Sequence, residues 1–128
     1  IAQLIRPAIN KGDWVLSDRF SGSTIAYQGY GRKLDIELIK ELEIIATQGI
    51  SPDITFLLDI PVEESIKRRC NRKDDRIEKE GIEFLSNVSL GFQALSEEKK
   101  WKKISAINSK EKIISEIQSE IKKLIKHE

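Results

Sequence analysis

Apolar residues form two short and almost uninterrupted runs, and each follows a turn signal. The run Trp14-Val15-Leu16 comes after Lys11-Gly12-Asp13, and a second run at 53–59 comes after Gly49-Ile-Ser-Pro52. Runs of this length without alternation are typical of strands that are buried on both faces of a parallel sheet. A weaker run lies at 103–108. The pattern therefore predicts strands at 14–17, 53–59 and 103–108.

Elsewhere the apolar positions recur every three or four residues, as they do on one face of a helix. Asp35 is the predicted N-cap of a helix that ends near Gly49. Pro61 opens the next helix, a long helix begins at about Glu78, and Asn108-x-x-Glu111 is a capping-box-like start for the last one. Each of these four helices has an apolar face, and the face of the last helix is predicted to be buried. In chain order the faces contain Leu38, Leu42 and Ile45; Val62, Ile66 and Cys70; Leu85, Val88, Phe92 and Leu95; and Ile114, Ile117, Ile121 and Leu124.

Strands that alternate with helices predict an α/β fold, with a three-layer arrangement around a parallel sheet. The 128 residues suit a single domain covering 1–128. The sequence contains no methionine, and Ile1 begins what reads as the middle of a helix. We therefore expect an N-terminal part of this domain, including strands, to be missing from the chain.

The amino-acid composition argues against several classes of function. The 22 Lys+Arg and 21 Asp+Glu residues give a net charge of +1, which argues against a general nucleic-acid coat. No apolar run approaches the ~18 residues of a membrane span, so neither nucleic acid nor membrane is an expected partner. A single cysteine, Cys70, excludes an internal disulfide and favours the cytoplasm. A single histidine, His127, argues against a histidine-based zinc site or catalytic triad.

Polar residues that could bind a ligand follow the first predicted strand, at the edge where parallel sheets place their ligands. Asp18 could hold Mg²⁺, and Arg19 could clamp a phosphate through paired hydrogen bonds. The next helix offers hydroxyls, an aromatic ring and an amide, which suit a planar ligand: Ser23, Thr24, Tyr27 and Gln28. An ion pair beside a helix N-terminus is the alternative explanation for Asp18-Arg19.

A second candidate is the basic segment at 67–78, which is interrupted by Asp74-Asp75. Such segments are usually solvated helix faces. This one, however, lies between two predicted helices and is richer in arginine than in lysine. Arginines beside phosphates stabilise the charge that phosphoryl transfer spreads over non-bridging oxygens.

Taken in order, these segments resemble thymidylate kinase. The stretch from Ile5 to Phe20 matches the family's helix end, third strand and Asp-Arg-aromatic motif. The stretch Ser23-Thr-Ile-Ala-Tyr-Gln-Gly29 is similar to its thymidine-binding helix, and 52–59 is similar to its fourth strand. The segment at about 69–78, which contains Asp75-Arg-Ile-Glu78, resembles its lid.

The resemblance implies a P-loop kinase-like fold, transfer of the ATP γ-phosphate to dTMP to give dTDP, a requirement for Mg²⁺, and a homodimer. It places Asp18 near the magnesium-bound phosphates and Arg19 on the dTMP phosphate. Thr24 would face the thymine edge, and Tyr27 would lie near the deoxyribose. The residues that would complete the pocket are Ser23, Gln28 and Glu78, and the lid arginines on the transferring phosphoryl group would be Arg69, Arg72 and Arg76.

One motif of the family is missing from the sequence. No G-x-x-x-x-G-K-[ST] stretch, the loop that cradles ATP phosphates, occurs in it. The chain alone is therefore expected to be inactive. Two alternatives remain open: a related deoxynucleoside kinase, and a non-catalytic binding module that associates through the helices at 78–96 and 109–126.

Overall fold

The computed structural model describes residues 2–70 and 79–126, without the side chains of residues 69, 70, 79 and 80. The helices are α1 (Ala2–Asn10), α2 (Ser21–Thr24), α3 (Ile36–Thr47), α4 (Val62–Cys70), α5 (Lys79–Glu98) and α6 (Lys110–Ile125). A π-helical stretch, Ile25–Gly31, continues α2 and is called the π segment below. The strands are β1 (Phe56–Asp59) and β2 (Lys102–Ser105).

The two strands pair in parallel, with Phe56 opposite Lys102 and Asp59 opposite Ser105. Parallel neighbours need a long crossover, and α4 and α5 lie in the chain between β1 and β2. The predictions of strands at 53–59 and 103–108 and of α/β alternation are therefore confirmed, although both strands are shorter than predicted and β2 begins one residue earlier. The described residues form a two-stranded sheet.

The prediction of a buried strand at 14–17 was wrong. This stretch is irregular, and Leu16 is 100% exposed while Trp14 is 71% exposed. A strand becomes stable when its backbone N–H and C=O groups pair with a neighbour and its side chains are covered. In the part of the chain that the structure describes, only β1 and β2 pair in this way, so the apolar run lacks both requirements.

The core lies where α5 and α3 pack on the π segment. Its buried residues are Ile25, Ala26, Ile39, Val88 and Leu95. Close packing demands small residues here, since a Cβ on Gly91 would lie 2.7 Å from Cγ of Tyr30. The periodicity of α5 predicted two of these buried positions, Val88 and Leu95.

Helix caps agree with the predictions at α3 and differ at α6. Asp35 accepts hydrogen bonds from the backbone N–H groups of Glu37 and Leu38, at 3.0 and 3.1 Å. The N-cap of α6 is Ser109 rather than Asn108, because the Ser109 hydroxyl accepts from the Lys112 N–H. Both residue types cap well, so the sequence alone could not distinguish these neighbours.

The apolar faces of α3 and α6 are less covered than the pattern suggests. On α3 the buried residue is Ile39, whereas Leu38, Leu42 and Ile45 are 54%, 55% and 71% exposed. The predicted face of α6 is only partly covered: Ile117, Ile121 and Leu124 are half-buried, Ile114 is 53% exposed, and no residue of the helix is fully buried. A sheet of two strands is too narrow to cover a helix of sixteen residues. None of the helices in the described ranges is long and apolar enough to cross a membrane.

We expect Glu120 to make α6 sensitive to acid. A hydrogen bond from Lys123, supported by Lys102 at 3.1 Å, lowers the pKa of the Glu120 carboxyl below its ordinary 4.5. A carboxylate whose pKa is lowered in the folded state stabilises the fold at pH values above its unfolded-state pKa. This stabilisation is lost as the pH falls through the folded-state pKa. Glu120→Gln should therefore lower the melting temperature at pH 7, and the difference from wild type should disappear in acid. A pH-independent difference, or an equal loss in the control Glu116→Gln, would contradict this assignment.

Candidate functional site

The Asp18-Arg19 pair lies on an exposed turn before α2. Arg19 has a left-handed backbone, with φ at +67°. The Ser17 hydroxyl donates a hydrogen bond of 2.7 Å to the Arg19 carbonyl and thereby supports this turn. Left-handed backbone at a residue other than glycine costs about 1–2 kcal/mol and is concentrated at functional sites. The Arg19 side chain therefore leaves the backbone in a direction that a residue in a helix or strand would not give it.

Arg19 lies over the aromatic ring of Tyr27. Its guanidinium carbon is 5.4 Å from the ring centroid, within the range of a cation–π contact. Phe84 and Phe92, two residues of α5, pack against the same ring, each with a centroid distance of 6.1 Å. The structure thus brings together Arg19 and Tyr27, two of the predicted site residues. Phe84 was not among the predicted site residues, although its spacing from Phe92 corresponds to about two turns of α5.

The remaining helical candidates follow Arg19 along the same helix. Ser23 and Gln28 are half-buried, and Thr24 is exposed. From Ile25 onwards the helix is π-helical, and the Arg32 N–H donates to the Tyr27 carbonyl five residues earlier. The turn there is wider than an α-helical turn, which would bring positions 24 and 28 onto one face. Short π-helical stretches occur frequently at functional sites, which agrees with the position of this one.

The basic segment lies in the chain between α4 and α5, and both of these helices contact the sheet. Arg69 (as a side chain), Arg72, Arg76 and Glu78 lie outside the described residues, so their predicted roles stay predictions. On the flank before them, Arg68 donates a 3.2 Å hydrogen bond to the carbonyl of Ala106, immediately after β2. Farther along the chain, Gln93 of α5 donates a 2.6 Å hydrogen bond to Asp59, the last residue of β1. Both α4 and α5 therefore contact the carboxyl edge of the sheet, where parallel sheets bind ligands.

Asp18 is the residue predicted to hold Mg²⁺. Among the described residues, no group of three or more Asp, Glu, His or Cys side chains is placed so that it could hold a metal ion. Mg²⁺ is, however, commonly held by one or two carboxylates together with substrate phosphates. An exposed Asp18 next to Arg19 fits that kind of site and does not fit an all-protein metal site.

Comparison with known proteins decides the family. The family model described as Thymidylate kinase matches residues 1–117, which is most of the chain.

The chain belongs to the thymidylate kinase family.

Curated relatives agree with this assignment. The thymidylate kinase of Prochlorococcus marinus strain NATL2A is 81% identical over 127 residues, which are 99% of this chain and 60% of that protein. The thymidylate kinase of strain MIT 9313 is 56% identical over 122 residues, covering 95% of this chain and 56% of the relative. The chain therefore spans about 60% of the length of such relatives. Membership of the family confirms the resemblance and the P-loop kinase fold class.

Proposed function

We propose that a protein carrying this chain transfers the γ-phosphate of ATP to dTMP and so produces dTDP. Family membership and relatives named thymidylate kinase support this reaction. The observation that carries it to particular residues is the placement of the Arg19 guanidinium over the Tyr27 ring. A guanidinium is a planar fork suited to a phosphate, and an aromatic ring is suited to a nucleoside, so their proximity supports a nucleotide site. Cys70 is the chain's only cysteine, so we also propose the cytoplasm as the compartment.

In this proposal the residues around Tyr27 bind the acceptor nucleotide. Arg19 holds the dTMP phosphate through two parallel hydrogen bonds, because a guanidinium presents its donors in a planar fork. Thr24 contacts the edge of thymine, and Tyr27 lies against the deoxyribose, where its ring excludes a 2′-hydroxyl. Phe84 and Phe92 hold that ring in place from α5. Ser23 and Gln28 complete the pocket on the helix, and in this proposal Glu78 helps to complete the substrate side of the pocket.

The donor side requires charge stabilisation rather than covalent chemistry. The transition state of phosphoryl transfer spreads negative charge over the equatorial oxygens of the transferring group. We propose that Arg72 meets this charge and that Arg69 and Arg76 assist it. A bound Mg²⁺ would neutralise phosphate charge, and Asp18 is the residue that would help hold it. The long basic segment between α4 and α5 would then serve as the lid over both nucleotides.

A coupled assay on a chimera tests the reaction. In the chimera, this chain replaces the matching 127-residue stretch of the NATL2A relative. With ATP and Mg²⁺ we expect the chimera to phosphorylate dTMP and to leave thymidine almost unchanged, whereas the isolated chain should form no dTDP. Preference for thymidine would instead support a deoxynucleoside kinase. A folded chimera that phosphorylates neither acceptor would support the non-catalytic binding module.

We further propose that the protein is a homodimer and that α3 contributes to the interface. Leu38, Leu42 and Ile45 form an exposed apolar stripe on this helix, and such stripes commonly mark association surfaces. Leu42→Glu should convert a dimeric chimera into a monomer, because an interface that buries an unpaired carboxylate is destabilised. Sedimentation velocity measures this, and Leu4→Glu, at a residue of α1 that is 81% exposed, is the matched control. A Leu42→Glu variant that sediments like wild type would contradict the role of α3.

A further inference from the structure

Trp101 packs against the first turn of α2, at the start of the candidate acceptor site. Gly22 is buried beneath its indole ring. A Cβ on Gly22 would overlap Cη2 of Trp101 and would lie 2.8 Å from Cζ2. Heavy atoms do not approach this closely without displacement, so one of the two partners must move when a side chain is added at position 22.

The tryptophan is the firmly held partner. Its backbone N–H donates to the Ser96 carbonyl at 2.8 Å, and the next residue, Lys102, donates to the Thr55 carbonyl at 2.9 Å. The preceding Lys100 has a left-handed φ of +53°, which ends the turn after α5. The indole also packs against the buried core. Trp101 is thus fixed to α5, to the sheet and to the core.

The first turn of α2 is the less firmly held partner. Its N-cap, Phe20, makes no side-chain capping hydrogen bond. The stretch at 11–19 that leads into it is exposed throughout. Ser23 and Thr24 follow Gly22 directly, and Arg19 precedes it by less than one turn. Any displacement of this turn therefore moves Arg19 as well as Ser23 and Thr24.

From these contacts we infer that Trp101 is a positioning residue for acceptor binding. Gly22 allows this role because, without a side chain, it leaves room for the indole ring to pack against α2. The indole fixes the depth and direction of the first turn of α2 and, through it, Ser23 and Thr24. This inference rests on the proposed function, because it assigns the contact to the dTMP site. A positioning role predicts weaker acceptor binding with unchanged phosphoryl transfer, since the lid arginines lie on another segment.

The test is a double-mutant cycle in the chimera, read by dTMP calorimetry and by steady-state kinetics. Gly22→Ala should raise the Kd and KM for dTMP about tenfold, while kcat and the KM for ATP stay within about twofold. Trp101→Phe alone should raise the KM for dTMP about threefold, because the gap over Gly22 lets the turn shift. The combined variant should bind dTMP within about threefold of wild type, since the smaller ring makes room for the added methyl group. Lys110→Ala, at an exposed residue of α6, should change none of these values.

Three results would overturn the inference: a KM for dTMP that Gly22→Ala leaves unchanged, a defect that Trp101→Phe does not relieve, or a fall in kcat with unchanged dTMP binding. If Gly22→Ala fails to fold, Trp101→Phe alone decides, and an unchanged KM overturns the positioning role. The wild-type chimera reports separately on the proposed function. If it prefers another acceptor, the same cycle measured with that acceptor still tests the contact.

Discussion

Replacing Arg72 with alanine in the chimera is expected to lower kcat by about 10³-fold or more, the range measured for arginines that stabilise phosphoryl transfer. The dTMP affinity should change far less. Charge develops on the transferring phosphoryl group only in the transition state, so a residue that meets this charge contributes little to ground-state binding. Single-turnover kinetics with dTMP and ATP in excess of their Kd values measure the chemical step directly.

The control for this variant is Lys67→Ala, which removes one positive charge from the exposed face of α4. It should leave kcat within about twofold, since exposed charges are screened by water and salt. If Arg72→Ala raises the KM for dTMP and leaves kcat unchanged, Arg72 is a ground-state contact. The assignment of the lid as the source of the catalytic arginine would then be wrong.

Arg19→Ala should produce the largest loss of acceptor binding, about 2–5 kcal/mol of binding free energy. The variant removes a charge-assisted contact to the dTMP phosphate and leaves that phosphate without its partner. It also removes the cation from the face of Tyr27, where the guanidinium carbon lies 5.4 Å from the ring centroid. Isothermal titration calorimetry of dTMP into the chimera measures the change.

Two variants separate the contributions to that loss. Arg19→Lys keeps the charge but cannot bind a phosphate with a planar fork, so we expect an affinity between those of wild type and Arg19→Ala. Lys11→Ala removes a charge from the exposed stretch before the site and should leave the affinity unchanged. An Arg19→Ala variant with wild-type dTMP affinity would remove Arg19 from the site.

Local patterns predicted those parts of the fold that local forces determine. The N-cap at Asp35, the end of α3 near Gly49 and the buried positions Val88 and Leu95 follow from hydrogen bonding and helical spacing within short segments. A parallel sheet with helical crossovers was also predicted, and β1 and β2 do pair in parallel, but which strands are neighbours was not predicted. The helical features depend little on the rest of the molecule.

The errors concern features that depend on distant partners. Trp14-Val15-Leu16 has the composition of a buried strand, but composition cannot show whether a neighbouring strand is present to pair with it. In the same way, the spacing of Ile114 on α6 predicts a face and cannot show how wide the covering sheet is. An apolar pattern thus shows which side chains of a segment could be buried. Whether they are buried depends on the neighbouring elements of the fold.

The candidate site was predicted as a set of residues, while its geometry was not. The order of Asp18, Arg19, Thr24 and Tyr27 in the sequence indicated a nucleotide site. The left-handed backbone at Arg19 and the π-helical turn after Thr24 depend on tertiary packing, and local sequence propensities do not predict them. The contacts of Phe84 with Tyr27 and of Trp101 with Gly22 join segments that are far apart in the chain.

Hydrogen–deuterium exchange of the chimera with and without dTMP tests the central claim most directly, namely that this chain carries the acceptor-nucleotide site. We predict that dTMP slows exchange in peptides covering residues 17–31, because the nucleotide would order the turn at Arg19 and the first turn of α2. Peptides from α6, which lies outside the proposed site, should exchange at the same rate in both states and serve as the internal reference. Protection of α6 or β2 together with unchanged exchange at 17–31 would contradict the account.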